Sequence, residues 1–357
     1  PLMRSPEISP DGTKIAVMMS RNGIDNLGII DLSKPGTPPK FFARAEEYRE
    51  VGDRTIGSWS WVGNRTVIFT LLSREDLFGR RIDLRRLVAY DLETGKLVPL
   101  VWEDTSGDGG EVLFRDHKKE MILLQRTSFR NQQQEFMPEV VSVDVRTGKF
   151  TTVQRPNVLV DQWIADGNGV VRLGLGSSDD GKQRVMYRSG DGEPFKTVTN
   201  EKDATFTGAQ VIPDIFTNEP DVAYATSNRD NTRKVYKVNL KTLEPIGGPV
   251  FQVPGYDVEG LIESKDHRSL AGVRYVTNRS LTKWFDPRLA EIQKIFDEDF
   301  GEGNTKILSS NEADTRLVLF IGKPSEPGSF YVFDTDSGSL AVLGYYHPEI
   351  KDAELNP

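Results

Sequence analysis

The segment SPDGTKIAVMM at residues 9–19 is the best guide to the fold, because it is the first copy of a pattern that recurs about every 50 residues. In this pattern a polar turn leads into an apolar strand. A second half then follows, consisting of a strand that ends in Asp, a turn with Gly and another strand, as in residues 88–97 (VAYDLETGKL) and 141–150 (VSVDVRTGKF). The centres of the polar turns are Asp11, Gly63, Asp116, Asp166, Asn218, Asp266 and Glu312.

Each half of the unit carries two short strands, so one unit supplies four antiparallel strands. Residues 67–72 (VIFTLL) are almost continuously apolar, which is typical of a strand covered on both faces. Four-stranded units that repeat radially form a β-propeller. The sequence therefore predicts an all-β protein, a seven-bladed β-propeller of four-stranded antiparallel blades over residues 1–344.

The conspicuous acids of the repeat are interpreted as turn residues rather than catalytic groups. Pro10 presets φ for a turn, Asp11 can accept backbone hydrogen bonds and Gly12 tolerates positive φ. Asp91 and Asp144 precede the glycine turns in the same way.

One segment departs from the repeat, and it predicts a short helix near residues 286–300 in the sixth unit. Asp286 is suited to the N-cap and Pro287 to the first helical position. The helix is expected either to pack on the rim of the propeller or to dock a second domain. The side chains proposed for docking are Trp284, Phe285 and Phe296.

Two long connections are rich in arginine, at residues 73–87 and 126–139. Long connections in a compact repeat often carry function. They form either a solvated charged surface or an electropositive lip that binds an acidic group of a substrate or partner. The candidate substrate-binding residues are Arg80, Arg81, Arg85, Arg126 and Arg130.

Composition excludes several classes of function. The 357 residues carry 45 Lys and Arg against 53 Asp and Glu, a net charge of −8, which disfavours binding to nucleic acid. No apolar run approaches the roughly 20 residues of a membrane span. Since the chain has no cysteine, it has no disulfide, thiol nucleophile or cysteine-bound zinc.

No catalytic motif is found in the chain. It lacks a Gly-x-Ser-x-Gly nucleophile elbow, a His-Glu-x-x-His zinc motif and a phosphate loop. His117 and His267 fall in repeat turns and are predicted to be exposed, whereas His347 lies near the end of the sequence. We therefore expect no metal, no cofactor and no catalytic residue within these residues.

The chain resembles the N-terminal propeller of the prolyl oligopeptidase family of serine peptidases, in particular bacterial dipeptidyl-peptidase or acylaminoacyl-peptidase-like members. The resemblance rests on three stretches: residues 8–16 (ISPDGTKIA), residues 283–287 (KWFDP) with the following helix, and the last part of the sequence at 327–334, 343–344, 347–350 and 355–357. It implies a propeller that gates access of small peptides to an α/β-hydrolase domain with a Ser-Asp-His triad. Residues 345–357 would then be the hinge toward that domain, whose triad lies beyond Pro357.

The resemblance also leaves finer questions open. The isopeptidases that open lasso peptides share this architecture, so a threaded substrate is compatible with it. A periplasmic location is slightly favoured over a cytoplasmic one. Two alternatives stand beside the peptidase hypothesis: a free-standing TolB-like propeller that binds a protein partner, and a complete propeller enzyme such as a lactonase or glycosidase.

Overall fold

The structure is a computed structural model that describes residues 2–45, 54–77, 80–103, 105–107, 109–128, 137–177, 183–198 and 211–350. Within these ranges the strands form seven antiparallel sheets, each built from consecutive strands of the chain. The seven-bladed propeller predicted from the repeat is confirmed.

The first four blades contain four strands each, hydrogen-bonded in chain order from the inside of the ring outward. Their strands are β1 (Met3–Ile8), β2 (Lys14–Arg21), β3 (Ile24–Asp31) and β4 (Lys40–Arg44); β5 (Arg54–Val62), β6 (Thr66–Leu77), β7 (Arg80–Asp91) and β8 (Leu97–Pro99); β9 (Glu111–Asp116), β10 (Met121–Arg126), β11 (Glu139–Asp144) and β12 (Phe150–Gln154); and β13 (Gln162–Ala165), β14 (Val171–Ser177), β15 (Gln183–Tyr187) and β16 (Lys196–Thr197).

The last three blades differ from one another at the outer position: the fifth and sixth have three-stranded sheets, and the seventh has a four-stranded sheet. Their elements are β17 (Val211–Phe216), β18 (Val222–Asp230) and β19 (Thr232–Asn239); β20 (Val258–Glu263), β21 (Leu270–Val276), β22 (Ser280–Trp284) and helix α1 (Pro287–Phe300); and β23 (Thr305–Ser310), β24 (Arg316–Ile321), β25 (Ser329–Asp334) and β26 (Ser339–Tyr345). In the fifth blade single bridges from Val235 to Phe251 and from Val238 to Pro245 replace the fourth strand.

Helix α1 follows the outermost strand of the sixth blade, as the sequence predicts. The Asp286 carboxylate accepts a hydrogen bond from the Leu289 amide at 2.9 Å, and Gly301 ends the helix. The apolar stripe of Leu289, Ile292 and Phe296 is buried against strand β24 of the seventh blade. The helix therefore contributes to the interface between the sixth and seventh blades.

A cluster of buried apolar side chains fills the space between every two neighbouring blades. The ring closes between β1–β2 and β24–β25, where Met3, Val17, Val318 and Phe330 are among the residues that pack together. Since the first four strands form one blade and the last four form its neighbour, side-chain packing and hydrogen bonds hold this seam. The Leu2 amide donates to the Tyr346 carbonyl across it at 2.9 Å.

The inner strands share one irregularity. The pairing of each inner strand with the second strand of its blade contains at least one β-bulge or irregular step. A bulge bends a strand and increases its twist locally.

The strand order defines two faces of the ring. The turn face carries the turns between first and second strands and between third and fourth strands. The terminal face carries the other connections together with Leu2 and Tyr346.

On the turn face Asp11 accepts hydrogen bonds from Ser9 and Thr13, and Gly12 has a φ of 74°. Asp91 and Asp144 likewise accept amides of their own turns, so all three acids have the turn role that the sequence predicts.

Candidate functional site

The two arginine-rich connections both lie on the terminal face, since each joins the second strand of its blade to the third. Strands β6 and β7 pair out to Leu77 and Arg80, so the first connection is a long hairpin that projects beyond the rest of its blade. Arg80 and Arg81 are at its tip, with their side chains outside the described part of the structure, and Arg130 is outside it entirely. Arg85 is exposed on the hairpin.

The connection between the second and third blades brings these segments together. The Arg85 amide donates to the Gly107 carbonyl at 2.7 Å, and the Ser106 amide donates to the Thr127 carbonyl at 2.9 Å. The structure thus places the hairpin and the start of the second arginine-rich connection side by side, which their separation in sequence did not show.

Arg126 points into the protein. Its side chain is 5 % exposed, and Nη2 lies 2.8 Å from Glu139 Oε1. Nη1 donates to Thr105 Oγ1 at 3.2 Å, and the guanidinium covers the ring of Phe150 at 4.7 Å. Through these contacts Arg126 has a structural role: it links the connection between the second and third blades to the third blade itself. Its role in substrate binding stays a prediction.

The residues proposed for docking differ in how they are placed. Trp284 and Phe296 are buried in the interface between the sixth and seventh blades, whereas Phe285 is 37 % exposed and meets Phe251 edge to face. Of these three aromatic side chains, Phe285 offers the most surface to a second domain. The docking role stays a prediction.

A group of titratable side chains that was not predicted from the sequence gathers where the channel meets the turn face. The charges of these groups act on one another although they come from four blades. The group comprises Glu7, Arg115, His117, Lys265, His267 and Glu312. No motif marks them, because they become neighbours when the ring closes.

Glu7 lies deepest in this group. Burial raises the pKa of its carboxyl to about 7, against the opposing effects of Arg115, the Trp61 amide and Lys265. The Trp61 amide lies 3.4 Å from Oε1, and the Trp61 indole donates to the Glu7 carbonyl at 2.9 Å. The Glu7 carboxyl therefore keeps its proton to a higher pH than a solvent-exposed glutamate does.

Burial acts in the opposite sense on the pKa values of Lys265 and His117. Burial lowers the pKa of Lys265, although its ammonium donates to the carbonyls of Ser310 and Asn311 at 2.6 and 2.9 Å. Burial and the nearby Arg115 lower the pKa of His117, whose Nδ1 accepts the Gly63 amide at 3.1 Å. His117 and His267 do lie in repeat turns, but both are half-buried at the channel mouth rather than exposed.

We expect the Glu7→Gln variant to change how stability depends on pH. Because the folded protein holds the Glu7 proton up to about pH 7 and the unfolded chain releases it near 4.5, stability falls as pH rises through this window. The nominal loss is about 3 kcal/mol. Chemical denaturation at pH 5 and pH 8 should show a smaller loss in Glu7→Gln, while the exposed Glu193→Gln variant follows the parent. An unchanged pH dependence in Glu7→Gln would contradict this account.

Each of the three histidine rings has a hydrogen-bond partner that is not a serine hydroxyl. His117 accepts the Gly63 amide, His267 Nδ1 lies 2.5 Å from Glu263, and His347 Nδ1 lies 2.7 Å from Glu349. Within the described ranges there is thus no Ser–His pair of the kind that activates a nucleophile. In the same part of the chain, no cluster of three or more acidic or histidine side chains could hold a metal ion. No helix among the described residues has the length and apolar character needed to cross a membrane.

Comparison with known proteins agrees with the class that the fold defines. No protein-family model matches the sequence. Dipeptidyl aminopeptidase BIII from Pseudoxanthomonas mexicana is 23 % identical over 360 residues, which cover 98 % of this chain and 48 % of that protein.

Peptidases are among the solved structures that share this fold. A structure from a study of two prolyl endopeptidases matches with a TM-score of 0.58 at 10 % identity, over 96 % of this chain and 49 % of the other. Prolyl oligopeptidase B from Galerina marginata matches with a TM-score of 0.55 at 13 % identity, over 96 % of this chain and 50 % of the other.

The chain therefore spans about half the length of the relatives it matches. Its fold is the seven-bladed propeller of prolyl oligopeptidase-type peptidases, and the resemblance inferred from sequence is confirmed. The narrower suggestion of a lasso peptide isopeptidase stays a prediction.

Proposed function

We propose that this chain is the substrate-gating propeller of a larger serine peptidase, whose α/β-hydrolase domain lies in the same polypeptide. The observation that carries the proposal is coverage: 98 % of this chain matches 48 % of a dipeptidyl aminopeptidase. The relatives thus have as much chain again outside the propeller, enough for a catalytic domain.

The geometry of the seam between the first and last blades is compatible with a domain seated on the terminal face. Leu2 and Tyr346 are hydrogen-bonded to each other at the seam between the first and last blades. Any segment attached to either of them therefore starts from the same corner of that face. A domain attached there would lie over the channel and beside the arginine-rich hairpin.

In this arrangement the terminal face holds the peptide. Arg80, Arg81 and Arg85 belong to the hairpin that projects from that face, and a guanidinium binds a carboxylate in a bidentate fashion. We infer that the hairpin contacts an acidic group of a small peptide substrate. Arg130 is proposed for the same role from sequence.

The test compares the full-length protein with the chain of 357 residues. The full-length protein should release 4-nitroaniline from dipeptidyl or acyl-aminoacyl nitroanilides and should be labelled by a fluorophosphonate, which reacts with activated serines. The chain alone should do neither. Hydrolysis or labelling by the chain alone, or none by the full-length protein, would refute the proposal.

The hairpin is tested in the same assay with Arg85→Glu. Its matched control is Lys96→Glu, an exposed residue of the same blade on the turn face. We expect Arg85→Glu to raise KM for an acidic peptide by about three- to tenfold with little change in kcat. An equal effect of both variants would argue against a contact at the hairpin.

A further inference from the structure

The first turn of the sixth blade reaches across the mouth of the channel on the turn face. This turn, residues 264–269, contacts blades that are not its neighbours in the ring. The His267 ring meets the Phe114 ring of the third blade edge to face at 5.6 Å. Arg268 Nη2 donates to Asn168 Oδ1 of the fourth blade at 2.6 Å. We call this turn the plug.

Gly167 of the fourth blade makes room for the plug. A Cβ atom at this position would lie 2.0 Å from the His267 carbonyl oxygen and 2.7 Å from the His267 Cβ. Gly167 does not have the positive φ that favours glycine, so left-handed backbone does not explain the glycine at this position. Glycine is therefore required here by the contact with the plug.

The plug is held from both sides and from within. Lys265 anchors it to the seventh blade through the Ser310 and Asn311 carbonyls. Inside the turn, Ser264 Oγ accepts the amides of Arg268 and Ser269 at 3.3 and 3.0 Å. The internal bonds preserve the shape of the turn, and the Lys265 bonds hold it against the seventh blade.

We propose that the plug keeps the axial channel shut at the turn face, with Gly167, His267 and Arg268 as the residues that seat it. Peptides then reach the catalytic domain from the terminal face, and the gap between the two domains sets their size. This consequence rests on the proposed function, whereas the closure itself does not.

Closure is tested by crosslinking in the chain, which has no cysteine of its own. The Asn168→Cys, Arg268→Cys pair is treated with a short bis-maleimide, since the contacts of His267 and Lys265 still hold the plug. The control pair is Asn168→Cys with Asn64→Cys, on turns of the fourth and second blades. We expect at least fivefold more intramolecular crosslink in the first pair. Equal yields would overturn closure.

A bulky side chain at position 167 tests the contact between Gly167 and the plug independently. Gly167→Leu, added to the first pair, should displace the plug and lower the crosslink yield at least fivefold. Gly190→Leu is the matched control, because it lies on the same face of the same blade with no atom within 4 Å of its Cβ position. Both variants should retain the parent's circular dichroism. Equal yields in the two variants would show that the plug does not rest on Gly167.

The route of the substrate is tested with the crosslinked pair in the full-length protein. Its kcat/KM for a short peptide should stay within twofold of that of the uncrosslinked pair. A tenfold loss after crosslinking would overturn the proposed route, because it would mean that peptides pass the plug. If the full-length protein cleaves no peptide in either form, the proposed function fails, while the crosslink yields still decide closure.

Discussion

The Glu139→Ala variant is expected to lose about 3–5 kcal/mol of unfolding free energy, because it strips a buried arginine of its counter-charge. The Arg126 side chain is 5 % exposed and its Nη2 lies 2.8 Å from Glu139. After the substitution, the guanidinium keeps the Glu103 carbonyl and Thr105 as partners, and both are neutral. Denaturant unfolding followed by circular dichroism measures the loss.

The double variant Arg126→Met, Glu139→Leu separates the two contributions to that loss. It removes both charges and keeps apolar volume, so it should be less destabilised than Glu139→Ala by about 2 kcal/mol or more. If the double variant were as unstable as Glu139→Ala, the damage would come from lost packing rather than from an unpaired buried charge.

The Trp163→Ala variant should have an effect of similar size, about 3–5 kcal/mol, through a cavity between the third and fourth blades. Trp163 is fully buried, and its ring meets Phe195 at 5.1 Å. Its indole nitrogen donates to the Pro138 carbonyl at 2.8 Å, so the substitution also leaves that carbonyl without its donor. The same denaturant measurement applies.

Two further variants serve as controls for the stability loss expected of Trp163→Ala. Trp163→Phe keeps most of the volume and loses the indole N–H, so its loss should be smaller than that of Trp163→Ala. Val153→Ala, at a residue 47 % exposed on the outer strand of the third blade, should stay within about 0.5 kcal/mol of the parent. A small effect of Trp163→Ala would mean that neighbouring side chains close the cavity.

Most of the fold could be predicted from the sequence, because its signals are local. The turn at residues 9–12 forms through bonds between near neighbours, and the helix after Asp286 begins at its own N-cap and ends at its own glycine. The irregularity of the sixth blade could also be predicted. Its third strand is followed by apolar residues at helical spacing, whereas the third strands of the first and second blades are followed by strands β4 and β8. Such features survive in a single sequence because each depends on a few consecutive residues.

The candidate site was predictable in part. The arginine-rich connections were recognised by their length and charge, and alternation of antiparallel strands places both on the terminal face. That Arg126 turns inward could not be foreseen, because its partner Glu139 and the Phe150 ring approach it only in the folded blade. The same holds for Trp284 and Phe296, which the seventh blade covers.

A seven-unit propeller of the prolyl oligopeptidase type follows from the sequence alone, because repeat period, turn chemistry and helix caps act over short separations. The contacts at the axis, in contrast, follow only from the folded ring. Glu7 and Lys265 are over 250 residues apart, and Gly167 and His267 are 100 apart, yet closure of the ring brings each pair together. Contacts across a ring depend on the position of every blade at once, so no single stretch of sequence encodes them.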